Sequence, residues 1–304
     1  MCTVPTFVNV SKEEFIANIY PKRFPAVLRG VDIGDCVHKW NKEYISEKVG
    51  NTNVKVHVSA SSQLDFLKKN FTYETIQFGE FLDRASRVGV EPKEYYYLRS
   101  IGSDRRGREI ADIQKQFPEI AGDINIPQYF SNDRFFSSVF RVGSPGVQLW
   151  THYDVMDNIL IQVKGRKRMV LFRPSDALNM YLVGDKSEVL DIDNPDVEKF
   201  PKFKLAERHE CFLEAGDIMF IPALWFHNAL ALDFGIAVNV FWRHLEVDMY
   251  DKNDPYGNKD IVPAARALQM VGNALKALQP LPGEYRDFYT RRLISSLQSS
   301  LQRD

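Results

Sequence analysis

Residues 147–172, VQLWTHYDVMDNILIQVKGRKRMVLF, contain the clearest indication of the fold of this chain. NILIQV and RKRMVLF are short apolar runs separated by Lys164-Gly165, so we predict a β-hairpin that turns at these two residues. The preceding run, VQLWTHYD, has the composition of a further strand. This part of the chain therefore belongs to a β-domain.

More short strands are predicted between Tyr95 and Trp242. The runs are YYYLRS, FFSSVFRV, HECFL, DIMFIP and GIAVNVFW, with Gly, Pro and Asp between them. CFLEAGDIMFIP turns at residues 214–216, and residues 178–207 are predicted to be a polar, loop-like insert. Many short strands joined by turns, and not alternating with helices, predict a sandwich or jelly roll.

Helices are predicted on both sides of these strands. SKEEFIANIY opens with Ser11 and has Glu14 three residues later, which is the capping-box pattern that starts a helix. LDFLKKN and FGEFLDRAS also look helical, whereas PAVLRGV and NVKVHVSA are typical of strands. We therefore predict a mainly β fold with helices (α+β), divided into an N-terminal α/β extension at 1–92, a jelly-roll core at 93–250 and a C-terminal helical segment at 251–304.

The C-terminal segment contains two predicted amphipathic helices. Apolar residues step by three or four positions along each one: Leu268, Val271, Leu275 and Leu278, then Tyr285, Tyr289, Leu293, Leu297 and Leu301. Two such stripes must be covered, either by their own domain or by a second copy of the chain. The residues leave both possibilities open.

The composition is that of an ordinary folded protein. Apolar residues make up 44% and charged residues 26% of 304, and the net charge of −1 gives no global sign of a nucleic-acid binder. No apolar run is long enough to cross a membrane, and the N-terminus has no secretory pattern. Three scattered cysteines, Cys2, Cys36 and Cys211, predict reduced thiols in a reducing, intracellular compartment. Together these properties lead us to expect a cytoplasmic protein without DNA or membrane partners.

His152 and Asp154 are the first candidate metal ligands. They lie two residues apart, so on a strand both side chains project from the same face. His227 lies 73 residues beyond Asp154 (227 − 154), in DIMFIPALWFHN, and a jelly roll could bring it close. Two histidines and one carboxylate occupy one face of an octahedral iron ion and leave the other face open. A His-x-Asp pair by itself fits a hydrogen-bonded pair on a strand equally well.

Lys167 adds a second signal. It alternates with Met169 and Leu171, so it shares the face expected to be apolar, where a lysine is costly unless an anion pairs with it. The far carboxylate of 2-oxoglutarate would be such an anion, although a lysine whose head reaches solvent explains the pattern too. Asn158 and Asn239 could hydrogen-bond the keto-acid or the metal ligands, or could satisfy buried backbone groups.

These residues resemble the Jumonji-C oxygenases, in the branch that contains asparaginyl hydroxylases. THYDVMDNILIQVKGRKRMVLF and LEAGDIMFIPALWFHN are similar to the two signature blocks of that branch, and PAVLRG resembles the segment that leads into its core. Within the branch the resemblance is closest to the tRNA hydroxylases of wybutosine synthesis. It extends over nearly the whole chain, through KNF, ADIQKQFP, SEVLDIDNPD, YGNKD and EYRDFYTRR.

The resemblance implies a function and a set of site residues. Iron(II) would be bound by His152, Asp154 and His227, which would be the catalytic centre, and 2-oxoglutarate by Tyr97, Asn158 and Lys167, with Asn239 as a weaker addition. With O2, such an enzyme would hydroxylate the amino-carboxypropyl side chain of the wyosine base beside the anticodon of tRNA(Phe). The resemblance also implies a homodimer formed through the C-terminal helices. Position 149 departs from the asparaginyl hydroxylases, since it is leucine where they have a threonine that contacts the keto-acid.

Basic residues cluster where a tRNA could bind, but other substrates stay open. The clusters are Arg105, Arg106 and Arg108; Lys164, Arg166 and Arg168; and Arg243 with His244. They could contact phosphates or stack on bases, or they could be ordinary solvated surface. A protein side-chain hydroxylase acting on Asn, Asp, His or Lys is the alternative enzyme. A cupin-like binding protein without activity is a third interpretation. The three candidate metal ligands and Lys167 argue against it, because a binding protein has no need of residues that are so costly to bury.

Overall fold

The computed structural model describes residues 2–87, 93–102, 104 and 108–301. In the described residues the strands are β1 (Cys2–Thr3), β2 (Thr6–Val8), β3 (Ala26–Arg29), β4 (Asn53–Ser59), β5 (Thr72–Gln77), β6 (Tyr95–Arg99), β7 (Phe135–Gly143), β8 (Asp157–Lys164), β9 (Lys167–Phe172), β10 (Leu182–Val183), β11 (Lys186–Ser187), β12 (His209–Leu213), β13 (Ile218–Ile221), β14 (Phe226–Ala231) and β15 (Gly235–Trp242). The α-helices are α1 (Lys12–Glu14), α2 (Cys36–Lys39), α3 (Lys42–Val49), α4 (Phe78–Ala85), α5 (Ile113–Gln116), α6 (Pro118–Ala121), α7 (Val262–Leu278) and α8 (Gly283–Ser300).

Two sheets form the β-domain. One has nine strands in the order β2-β3-β13-β8-β15-β7-β6-β4-β5, and the other has four in the order β1-β12-β9-β14. Consecutive strands alternate between the sheets from β12 to β15, as in a jelly roll. The predicted jelly-roll α+β fold is confirmed.

The predicted hairpin between β8 and β9 is wrong. The chain does reverse at Gly165, with φ +74°, but β8 pairs with β13 and β15 whereas β9 pairs with β12 and β14. The turn at 214–216 likewise carries the chain from β12 in one sheet to β13 in the other. Both turns connect the two layers because each strand buries its apolar face against the opposite sheet, which local turn chemistry does not reveal.

The central strands β13, β8 and β15 of the nine-stranded sheet are buried on both faces. On β8, Ile159 and Ile161 face a core shared with the short helices, which includes Phe15, Trp40 and Phe81. The opposite face of the sheet packs on the four-stranded sheet through side chains such as Leu160, Met169, Leu171, Met219 and Trp225. This second core fills part of the space between the sheets, and the remaining space contains the site.

Several local predictions are confirmed and two are corrected. Ser11 caps the first helix, since its side chain accepts a hydrogen bond of 3.1 Å from Glu14 N, although the helix changes to π geometry at Phe15–Ile19. FGEFLDRAS forms α4, but LDFLKKN forms only turns, because the side chains of Asp65 and Asn70 bond the local backbone. VQLWTHYD is not a regular strand: it runs beside β14 with isolated bridges at Gln148 and His152.

The insert at 178–207 is loop-like, as predicted, and has an apolar cluster of its own. Two very short strands, β10 and β11, pair within it. Met180, Ile192, Phe200 and Phe203 pack on Phe172, on the outer face of the four-stranded sheet. The insert therefore covers that sheet from outside.

The chain divides into two compact units. One comprises 1–247 with 252–259, and the other comprises 248–251 with 260–304 and contains α7 and α8. Both predicted C-terminal helices form, and neither contains a buried residue. Among the described residues no helix is long and apolar enough to span a membrane.

Candidate metal centre

His152 and His227 face each other across the edge of the four-stranded sheet. His227 is the second residue of β14, a strand that the sequence did not predict, and His152 lies in the irregular segment beside it. This segment does not pair regularly with β14. Within it, Leu149 O accepts a hydrogen bond from the side-chain amide of Asn228. The two imidazole rings are held with their centroids 4.3 Å apart.

Asp154 completes a compact group of three. Its Oδ2 lies 3.5 Å from Nε2 of His227, and the ligand atoms of all three side chains lie within 4.8 Å of one another. The structure thus brings together the two histidines and the carboxylate that the sequence singled out. Their donor set is that of a facial site for iron(II).

Both histidines are oriented by backbone carbonyls. Nδ1 of His152 lies 3.0 Å from Trp150 O, and Nδ1 of His227 lies 3.1 Å from Trp225 O. Each carbonyl can only accept, so the proton sits on Nδ1 and the lone pair on Nε2 is left for a metal. Burial, followed by the neighbouring His227, lowers the pKa of His152 to about 3, so its imidazole is neutral. The residues present therefore fit a metal ion.

Two buried asparagines support the carboxylate. Asn158 Nδ2 donates to Asp154 Oδ2 at 3.4 Å, and Asn239 Nδ2 donates to Asn158 Oδ1 at 2.9 Å. Oδ1 of Asn239 has no hydrogen-bond partner among the described residues, and Asn239 lines the cavity beside the histidines. Asn158 is thus placed to orient Asp154, while Asn239 presents an unused polar atom.

An inner cavity of about 50 Å³ extends from the histidines between the two sheets. Lys167 on β9, Tyr97 on β6 and Asn239 on β15 line it together with His152 and His227. The other residues of the wall are mostly apolar, among them Val142, Val147, Leu149, Leu160, Met169 and Ile221. Lys167 does share the inward face with Met169, as its alternation predicted.

Two cations face this cavity without a carboxylate partner in the described part of the chain. Burial, followed by the nearby Arg141, lowers the pKa of Lys167 to about 7. Arg141 on β7 donates to the hydroxyl of Tyr97, and its Nε has no partner among the described residues. The cavity is therefore suited to an anion. Arg141 was not among the site residues predicted from the sequence, although an arginine within the apolar run FFSSVFRV is the same kind of signal as Lys167.

A larger outer cavity of about 350 Å³ opens on the other side of His152 and Asp154. Tyr97, Arg141, Leu149 and His152 line both cavities, so the candidate metal ligands stand between them. The outer walls combine aromatic side chains (Phe66, Tyr73, Trp150 and Tyr256) with basic ones (Lys55, Arg99 and Lys186). A flat, aromatic substrate with negative charge suits such walls.

The described members of the basic clusters found in the sequence are not among the residues that line this cavity. Arg166 is paired with Asp233 at 2.8 Å and Arg168 with Asp193 at 2.6 Å, so nearby carboxylates offset both charges. Arg243 donates to Phe135 O, and His244 contacts the hydroxyl of Tyr20 at 2.7 Å. Arg105 and Arg106 lie outside the described residues. The cations at the cavity are instead Lys55, Arg99, Arg141 and Lys186, which are isolated from one another in sequence. Of these, Lys186 is paired with the neighbouring Asp185 at 2.5 Å.

Comparisons with known proteins give one family and a set of similar chains. The family described as cupin-like domain matches residues 11–247. The chain is 57% identical to tRNA wybutosine-synthesizing protein 5 of Danio rerio, over 97% of this chain and 92% of that protein. It is 54% identical to tRNA wybutosine-synthesizing protein 5 of Homo sapiens, over 97% and 95%. It is also 38% identical to tRNA wybutosine-synthesizing protein 4 of Gibberella zeae, over 97% of this chain but 29% of that protein.

Proposed function

Because the chain belongs to the cupin-like family and, within it, to the family of tRNA wybutosine-synthesizing protein 5, we propose that it modifies tRNA during wybutosine synthesis. The reaction would be an iron(II)- and 2-oxoglutarate-dependent hydroxylation of the amino-carboxypropyl side chain of the wyosine base beside the anticodon of tRNA(Phe). The observation that carries this proposal is the group of His152, Asp154 and His227, placed between two cavities of different character.

Iron(II) would be held by His152 and His227 through Nε2 and by Asp154 through a carboxylate oxygen. When bound, the metal with 2-oxoglutarate and O2 supplies the oxidising chemistry that inserts a hydroxyl group. The carbonyls of Trp150 and Trp225 keep both imidazoles in the tautomer that can bind it. Asn158 holds the carboxylate of Asp154 in place.

The inner cavity is proposed to bind 2-oxoglutarate. Lys167 and Arg141 supply positive charge for its far carboxylate, and Tyr97 supplies a hydroxyl group that is already oriented by Arg141. Asn239 adds a polar atom near the histidines. Leu149 offers no hydrogen bond where the asparaginyl hydroxylases have a threonine, so anchoring of the keto-acid depends on the other residues. The apolar remainder of the wall excludes water from the reacting end.

The outer cavity is proposed to bind the modified base. Trp150 and Tyr73 offer faces on which a fused aromatic base can stack. Arg99 has no carboxylate partner among the described residues, contacts the ring of Tyr256 at 5.2 Å, and is placed to bind the carboxylate of the amino-carboxypropyl group. Stacking on one part of the base and charge pairing on its side chain would direct the target carbon to the metal.

The domain division and the assembly are also proposals. We propose that 1–92 extends the catalytic core at 93–250 and that 251–304 forms a homodimer. Support for the dimer comes from the two C-terminal helices, whose exposed apolar side chains include Leu268, Met270, Phe288, Ile294, Leu297 and Leu301. Such a concentration of exposed apolar surface is typical of an interface, and a second copy of the chain with the same helices can cover it.

Mass spectrometry of phenylalanine tRNA tests the proposed substrate. Cells that lack the protein should lose the hydroxyl group on the wyosine base and accumulate the unhydroxylated precursor. Purified protein with iron(II) and 2-oxoglutarate should restore the hydroxyl in vitro and release succinate. Precursor tRNA left unchanged in the presence of an active iron centre would favour the alternative, a hydroxylase of protein side chains.

A further inference from the structure

A second group of potential metal ligands lies at the far edge of the four-stranded sheet. β1 pairs with β12 in parallel, with Cys2 opposite His209, and Cys2 N donates to Arg208 O at 3.0 Å. This pairing brings Cys2 beside Glu207 and His209, and the ligand atoms of the three side chains lie within 4.8 Å of one another. Cys2 and Glu207 are exposed, so the group is open to solvent on one side.

His209 is the unusual member of this group. Its side chain is almost fully buried, with the residue 1% exposed, yet neither ring nitrogen has a hydrogen-bond partner among the described residues. Its ring makes edge contacts with Phe24 and Trp225, which cover it but supply no acceptor for both nitrogens. A buried imidazole without partners is costly, and a metal ion on Nε2 removes the part of that cost that belongs to this nitrogen.

Two of the three distances within the group match those between the ligands of a tetrahedral zinc ion. Sγ of Cys2 lies 3.4 Å from Oε1 of Glu207, and Nε2 of His209 lies 3.6 Å from the same oxygen. Zinc bonds of about 2.0–2.3 Å to nitrogen, oxygen and sulfur place neighbouring ligands about 3.5 Å apart. We propose that Cys2, Glu207 and His209 bind a zinc ion, with a water molecule in the fourth position.

The chemistry of the three side chains favours zinc over the metal of the catalytic centre. A thiolate, an imidazole and a carboxylate are all ordinary zinc ligands, and the two negative charges balance a divalent ion. Arg173 holds the other oxygen of Glu207 at 2.8 Å, so Oε1 stays directed towards Cys2 and His209. The ion would fasten β1 to β12 and so stabilise the edge of the sheet.

Cobalt(II) distinguishes this site from the catalytic one, because only this site offers sulfur. Metal-free full-length protein, tagged at its C-terminal end, is titrated with cobalt(II) under anaerobic conditions. We expect a thiolate-to-cobalt charge-transfer band in the near ultraviolet, which saturates by two added ions per chain, one for each metal site, and is displaced by zinc. Cys2→Ser should abolish the band, and His209→Asn should abolish or greatly weaken it.

Cys211→Ser is the matched control, since Cys211 lies on β12 and its Sγ contacts Met219 and not the group. This variant should keep the full band. Circular dichroism of each metal-free variant checks that it folds, and zinc should raise the unfolding temperature of the wild type by more than that of Cys2→Ser, which keeps the His152, Asp154 and His227 group. A wild type without the band, or a band that survives in Cys2→Ser, would overturn the proposed site.

Discussion

His152 and His227 exchange both of their backbone hydrogen bonds, at 3.2 and 2.8 Å, although 75 residues separate them along the chain (227 − 152). The isolated bridge places the two side chains on the same face of the sheet. The distance between the proposed iron ligands is therefore set by the backbone and does not depend on a metal being bound. A preformed pair of imidazoles loses little conformational entropy when the ion binds.

Removal of any one ligand should abolish iron binding. His152→Ala, Asp154→Ala and His227→Ala should each lose iron(II) and succinate formation while the fold is kept, since three ligands leave no spare one. Iron content by mass spectrometry and succinate release measure the two effects. His38→Ala, which replaces an exposed histidine on α2, is the control. Full turnover in one of the three variants would show that the ligand is assigned wrongly.

Lys167→Ala should weaken 2-oxoglutarate binding strongly. A charge-assisted hydrogen bond that is lost costs on the order of 1.5–3 kcal/mol, roughly a tenfold to hundredfold weakening. Half-saturation by 2-oxoglutarate in the succinate assay measures it. Lys164→Ala, at the exposed end of the neighbouring strand, should behave as wild type. An unchanged requirement in Lys167→Ala would mean that this lysine does not contact the keto-acid.

The binding of 2-oxoglutarate should also depend on pH through Lys167. Since burial lowers the pKa of Lys167 to about 7, a rise in pH above this value removes its proton in the free protein. The keto-acid must then restore the proton on binding, so half-saturation should rise by up to about tenfold per pH unit above 7 and level off below it. Lys167→Arg keeps its charge at every pH tested, and a slope as steep as that of the wild type in this variant would contradict the assignment.

Arg99→Gln should impair the use of tRNA but not the iron centre. Arg99 lines only the outer cavity, so the KM for precursor tRNA should rise about tenfold to hundredfold for a lost charge-assisted contact. Binding of iron(II) and of 2-oxoglutarate should stay unchanged. Arg87→Gln, at an exposed position, controls for the loss of one positive charge. An equal KM in Arg99→Gln and wild type would exclude Arg99 from substrate binding.

Leu297→Asp should separate the proposed dimer. Leu297 is 51% exposed in the single chain, and in a twofold interface the substitution places a carboxylate in apolar surroundings from both sides. Light scattering should give about 70 kDa for the wild type, twice the 35.1 kDa of one chain, and one chain mass for the variant. Leu178→Asp, at a still more exposed leucine (79%) in the other compact unit, should remain dimeric. A monomeric wild type at micromolar concentration would refute the dimer.

The strand-rich fold class, the two C-terminal helices and the three residues of the candidate metal centre could all be predicted from the sequence alone. These features depend on patterns that are local or short: the alternation of Lys167 with Met169 and Leu171, the spacing of His152 and Asp154, and the apolar stripes of α7 and α8. His227 was the third ligand that a jelly roll could bring close to His152 and Asp154, and the family resemblance then added Tyr97. These patterns can be recognised in the sequence because they follow from the side-chain periodicity of strands and helices.

The pairing of the strands and the cations that face the cavities could not be predicted from the sequence, because both depend on contacts between residues far apart in the chain. The chain reversal at Gly165 looks like a hairpin, yet β8 and β9 enter different sheets because each buries its apolar face against the opposite layer. Arg99 and Arg141 lie on adjacent strands, and their proximity follows from the register of β6 and β7. Cys2 reaches His209 only because β1 pairs with β12, and no local pattern encodes a contact between residues so far apart in the chain.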